Sequence, residues 1–354
     1  MSISPPSNDV VRFRCGRTAG AMLAVLLVLT VGIGRTRAGN TIPPYVKSAV
    51  ARGLAWLAHD QLPDGSFPCA SQAKPADAAL AAMAFMARGY TANHGPYHRV
   101  IDAAINYILS CQNSNGYITA PGGTMYDQGI CTVALTEVYG MEGPATRRRV
   151  GHAIASAVAL ILAAQKHSIN QFAGGWRYQP WSQDADISCT GWQLMALRGA
   201  ADCGAAVPAT AIKHGIAFVV RDACPNGGFA YQPGGGPGRA RTGTGVLALE
   251  LMGRRNSPQA ISGGDYLMAH PIARNENFYF YAIYYCSQAA SQLGGHYWTT
   301  IYPPIRRQLI QFQKHGGQWQ PPDGIEGQGG DPYATSMAIL ALCVPFHYLP
   351  LYQR

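Results

Sequence analysis

One pattern recurs along this chain: an apolar helical stretch ends near a glutamine, and a glycine-rich turn carrying an aromatic residue follows. It occurs at 55–61 ending in Gln61, then Gly65-Ser66-Phe67; at 107–112 ending in Gln112, then Gly116-Tyr117; at 160–165 ending in Gln165, then Gly174-Gly175-Trp176; and at 309–313 ending in Gln313, then Gly316-Gly317-Gln318-Trp319. A fifth copy runs from Ile212 to Gly227-Gly228-Phe229, with Asp222 or Ala223 in place of the glutamine. The copies return about every 50–60 residues, a period that marks a repeat architecture. After each turn the sequence predicts a second helix rich in Ala, Leu and Met, over 78–89, 129–140, 188–200, 243–253 and 333–342. Gly264-Asp265-Tyr266-Leu267 and the aromatic run 278–292 supply a degenerate sixth pair. The run reads as a helix because no turn signal interrupts it, a strand being the alternative.

The two helix types differ in charge. First helices carry it on one side, at Lys47 and Arg52, Arg148 and Arg149, Lys213, and Arg306 and Arg307, as an outer ring in water should. Second helices carry almost none and should be covered all round. The expected fold is therefore all-α: an α/α toroid, an (α/α)6 barrel of six helical pairs, with Ala81, Ala82, Ala134, Ala196, Ala248 and Ala341 letting the inner helices approach. An open solenoid is the alternative, but polar capping repeats are missing. Composition agrees: 48% of the residues are hydrophobic and 13% charged, about half the usual charged share.

The first 38 residues read as a signal peptide. They hold a basic stretch from Arg12 to Arg17, an apolar run from Ala19 to Ile33, and Thr36-Arg37-Ala38 at the cleavage position. The run is short of the roughly 20 residues that span a bilayer comfortably, and an uncleaved N-terminal membrane anchor is the alternative. The expected organisation is thus a signal segment at 1–38 and a single toroid at 39–354, exported to the periplasm or beyond the cell. Five arginines of the +9 net charge fall in that segment, and the remaining surplus is scattered, which argues against nucleic acid as a partner. Most cysteines sit at wide helical spacing with no Cys-x-x-Cys. Buried thiols, with one bridge at most, are expected.

The helix-glutamine-glycine-tryptophan pattern, best at Gln165 to Trp176 and Gln313 to Trp319, resembles the QW repeat of squalene-hopene cyclases. The chain looks like exported single-toroid proteins with prenyltransferase/squalene oxidase repeats, a fold shared with protein prenyltransferase β subunits. The likeness runs through Gly174-Gly175-Trp176-Arg177-Tyr178, Thr190-Gly191-Trp192-Gln193 and Tyr333-Ala334-Thr335-Ser336. It implies a central cavity for an isoprenoid or other apolar ligand, with membrane-surface association. Asp184-Ala185-Asp186-Ile187 stands where the cyclases carry the acidic stretch that protonates an alkene. The resemblance makes Asp186 the acid and Asp184 its neighbour, with Ile187 in place of the last aspartate. The zinc pattern of the prenyltransferases, Asp-x-Cys with a downstream His, is not found, so no metal and no cofactor are expected.

Other candidates follow from residue type. Asp77, Asp127, Asp186 and Asp331 recur at second-helix starts; each suits an N-cap, and together they could ring one mouth, where crowding holds one carboxyl protonated. Trp192, Trp181, Tyr333 and Tyr126 are candidate ligand-facing aromatics, with helix packing as the alternative. The loop 234–243, with Arg239 and Arg241 before a helix start, could hold a phosphate or simply be solvated. No nucleotide P-loop, Gly-x-Ser-x-Gly or His-Glu-x-x-His occurs. The sequence thus favours a terpenoid cyclase-like or prenyltransferase-like toroid. The alternatives are a non-catalytic scaffold and a carbohydrate-active (α/α)6 barrel, which also pairs carboxylates with aromatic platforms.

Overall fold

The structure is a computed structural model that describes residues 42–69, 74–324 and 326–353. The expected signal segment lies outside the described residues. Among the described residues twelve α-helices follow one another: α1 (Pro44–Asp60), α2 (Pro75–Ala87), α3 (His98–Ser110), α4 (Met125–Tyr139), α5 (Pro144–Ala164), α6 (Ile187–Asp202), α7 (Ala209–Arg221), α8 (Arg239–Leu251), α9 (Pro258–Ala269), α10 (Tyr279–Leu293), α11 (Gly295–Phe312) and α12 (Gly330–Cys343). Even-numbered helices form the inner ring and odd-numbered ones the outer. Every residue of α2 is buried, whereas α3 buries only Ile101, Ala104, Ile105 and Ile108, one stripe of an amphipathic helix. The aromatic run is a helix, α10.

The ring closes. Each inner helix packs on the next, and α12 packs on both α2 and α1. The repeated glutamine makes the joints. Gln165 Nε2 donates to the carbonyls of its own turn glycine Gly174 (2.8 Å) and of Ala211 on the next outer helix (2.9 Å). Gln61 and Gln112 do the same toward α3 and α5. Gln313 reaches Ala49 on α1 at 2.8 Å, so the last pair is tied to the first. At Gly174 the backbone has φ +87°, and a Cβ would lie 2.2 Å from the His214 carbonyl oxygen; only glycine fits so close a crossing. In the fourth turn the bridge Ala223↔Phe229 matches Gln112↔Ile118, so Ala223 holds the glutamine's place and Asp222 precedes it.

The turn aromatics are pinned inward. Trp176 Nε1 donates to Ile161 O and Trp319 Nε1 to Leu309 O, both at 2.7 Å. Their backbone N–H groups donate to Thr190 and Thr335 of the following inner helices at 3.0 Å. Below the inner-helix N-termini the axis is filled. Tyr281 packs on Tyr285 (4.6 Å between centroids), Tyr285 and Tyr284 flank Trp192 (5.7 and 5.8 Å), and the Tyr284 and Tyr352 hydroxyls are hydrogen-bonded. The C-terminal segment closes the far end: Leu351 N donates to Glu137 Oε1, and Gln292 donates to Tyr352 O. Among the described residues no helix is long and apolar enough to cross a membrane. Cys131, Cys189, Cys286 and Cys343 are buried free thiols.

Candidate functional site

The first turns of the inner helices meet at one end of the ring, and three polar clusters line that mouth. The inner helices begin earlier than their apolar pattern predicts, at Pro75 rather than 78 and Met125 rather than 129. Asp77 and Asp127 therefore lie inside the first turns, where a carboxylate meets unsatisfied N–H groups. Asp127 completes a capping box: its Oδ2 accepts from Thr124 N (3.1 Å), and its Oδ1 crosses to accept from Ala76 N on α2 (3.3 Å). Asp77 is 5% exposed and its Oδ2 has no hydrogen-bond partner. Burial, reinforced by the Asp127 charge, pushes Asp77 up to about 7, and burial raises Asp127 to about 6. Both Asp127 oxygens accept backbone N–H groups, which favours its charged form, whereas Asp77 Oδ2 meets no donor, so a proton shared by the pair sits on Asp77.

Arg177 is the hub of the second cluster. It pairs with Asp186 Oδ2 (2.8 Å) and Asp184 Oδ2 (3.0 Å), hydrogen-bonds the Tyr231 hydroxyl and stacks over Tyr178 at 4.0 Å. Asp186 is fully buried as the N-cap of α6; its Oδ1 accepts from Ser188 N, Cys189 N and the Ser188 hydroxyl. With Arg177 on the other oxygen, Asp186 accepts four hydrogen bonds and leaves little of its surface for a ligand. The Tyr126 hydroxyl donates to Ser188 Oγ at 2.7 Å.

The third cluster forms around a residue that sequence reasoning missed. Glu326 accepts from Phe280 N (3.2 Å), Tyr281 N (3.0 Å) and the Tyr333 hydroxyl (3.3 Å). It caps α10 from another segment, because Phe278 at the N-cap position has no side-chain acceptor. The uncapped start of α10 was the available signal. Burial raises the Glu326 carboxyl above its ordinary range. The half-buried Tyr126, Tyr281 and Tyr333 stand between these clusters. Burial pushes the phenols of Tyr126 and Tyr333 well up, so they stay neutral donors.

Of the sequence candidates, Asp186, Asp184, Tyr126 and Tyr333 thus come together at the mouth. Trp192 is fully buried in the axial aromatic packing, and Trp181 is 71% exposed on the loop before α6. Arg239 pairs with Glu276 (2.9 Å) and donates to His270 O, while Arg241 packs against Gly238. Among the described residues no three His, Cys, Asp or Glu side chains gather as metal ligands.

No family model and no curated protein matches the chain. Solved structures do. The GH76A α-1,6-mannanase of Salegentibacter sp. HEL1_6 superposes with a TM-score of 0.66 at 9% identity, covering 86% of this chain and 99% of that one. Its likeness is one of fold. An inactive variant of that enzyme with two aspartates replaced, in complex with α-1,6-mannotriose, matches with TM-score 0.63 at 10% identity, over 85% and 99% of the two chains. A glycosidase variant in complex with glucose gives 0.59 at 11%, over 86% and 98%.

These findings correct the family expectation. The structural neighbours are α-1,6-mannanases and other glycosidases, in place of the squalene cyclase and prenyltransferase relatives that the repeat suggested. The physical reason is that the glutamine-glycine-tryptophan unit joins helical pairs. It therefore reports the toroid and not its chemistry. The reading as a terpenoid cyclase or prenyltransferase acting on an isoprenoid falls with it. So does the expected apolar ligand: the axis that would hold it is packed with Trp192, Tyr284, Tyr285 and Tyr352, and the neighbours' ligands are saccharides.

Proposed function

We propose that this chain is an exported carbohydrate-active toroid that binds a glycan at the inner-helix mouth and hydrolyses it. The observation that carries the reading is the Asp77/Asp127 pair: two buried carboxyls on adjacent inner helices, pushed up to about 7 and 6, beside tyrosine hydroxyls suited to sugar hydroxyls. Glycoside hydrolysis needs one carboxylic acid and one carboxylate. Asp77 donates its proton to the glycosidic oxygen as the bond breaks. Asp127, ionised, takes a proton from the water that adds to the anomeric carbon. Tyr126 and Tyr333 orient the sugar, and Asp186 and Asp184 act as positioning residues by holding Arg177 over Tyr178 and Tyr231.

The fold likeness supports α-linked oligomannosides as the first substrates to try. The test is incubation with α-1,6-linked mannooligosaccharides and a panel of other glycans, with products separated by chromatography. Wild type releases shorter saccharides, and Asp77→Asn releases none while still binding. Absence of both cleavage and binding across the panel contradicts the reading. One observation favours a second reading, glycan binding without hydrolysis: the two aspartates replaced in the mannanase's inactive variant are consecutive, and this sequence contains no two adjacent aspartates. Binding without product release selects that reading.

A further inference from the structure

A cleft lies away from the mouth, on the outer side of the ring. Between the segment leading into α1 and helix α11 it has a volume of about 220 Å³, with Ile42, Pro43, Val46, Trp298, Tyr302 and Arg306 in its wall. That is below the roughly 300–1,000 Å³ of sites for larger ligands, and it suits a single ring.

Two features give the cleft its chemistry. Trp298 and Tyr302 are stacked at 4.0 Å with their planes 13° apart, which makes a rigid apolar wall. Arg306 lines the cleft, and among the described residues its guanidinium makes no ion pair and no acidic side chain shares the lining. A guanidinium without a carboxylate beside it is matched by a planar carboxylate from a ligand.

We infer that this cleft binds a ring bearing a carboxylate, the chemistry of a uronate: the carboxylate on the Arg306 guanidinium and the ring against the Trp298–Tyr302 wall. The site does not depend on the proposed hydrolysis, since none of its residues belongs to the mouth. Trp298 gives a direct readout. Titration of the full chain with D-glucuronate, followed by tryptophan fluorescence and by calorimetry, should show saturable binding at one site. Methyl α-D-glucoside, the neutral control, should bind at least tenfold more weakly. Arg306→Gln should lower the affinity at least tenfold, Arg306→Lys should fall between, and Asp77→Asn should leave it unchanged. A melting curve for each variant separates lost binding from lost folding. The proposal is overturned by no saturable signal, by equal binding of the neutral sugar, or by a folded Arg306→Gln that binds like wild type.

Discussion

Asp77 and Asp127 divide the labour of one proton between them. Burial penalises both charges, and Asp77 carries the larger penalty because the Asp127 charge stands beside it. An acid that must be protonated near 7 and a base that must be ionised above about 6 give a bell-shaped profile. Initial rates on the cleaved glycan should peak between those values, falling as pH rises through 7 and as it drops below 6. Asp77→Asn should slow turnover at least about 100-fold, the size of general acid catalysis, with KM changed little. The acids before the inner helices were legible in the sequence as residue types at helix starts. Which of them meets a second carboxyl was not, because Asp77 and Asp186 differ only in what surrounds them: Asp127 on α4 for one, Arg177 for the other. Glu326 was invisible for the same reason, since its role rests on α10 backbone groups about 46 residues earlier in the chain.

At the scale of the element, the joints between pairs were readable because each uses the same three residue types. Gln165→Leu strips two carbonyl partners at once, and chemical denaturation should show a loss of about 1–3 kcal/mol. Gly174→Ala should cost at least as much, since it combines a positive φ with a backbone clash at His214; a melting curve of the purified variant checks it. Charge on one face separated outer from inner helices correctly, and the apolar run of α10 obeyed helical rather than strand logic. Helix starts were placed a few residues late, because Pro75 and the Thr124 capping box set them and neither belongs to the apolar period. Family membership was misread from these same elements: a device that closes toroids says nothing of what their mouths hold.

The whole molecule is a closed ring with one polar end and one plugged end, and it encloses carboxyls that prefer to be neutral. Burial lifts Glu137 at the plugged end to about 8 and Asp222 to about 9, the latter with neither oxygen hydrogen-bonded. With Asp77 and Asp127, these groups bind protons more tightly folded than unfolded. Stability should therefore fall as pH rises from about 4 through 9, and thermal melts across that range check the trend. Asp222→Asn should raise the melting temperature at pH 9 by about 5 °C, and the gain should shrink toward zero as pH falls to about 4. The ring itself was legible from repeat number and charge alone. Its contents were not, since the sequence does not say that Trp192 and Tyr352 meet on the axis.

A glycan at the mouth would lie against Asp77, Tyr126, Tyr281 and Tyr333. Titration of isotope-labelled protein with α-1,6-mannotriose, followed by nuclear magnetic resonance, should give saturable shifts confined to the first turns of α2, α4, α10 and α12. Shifts elsewhere on the ring, or none for this or any other glycan tried, would mean that the mouth is not a glycan site.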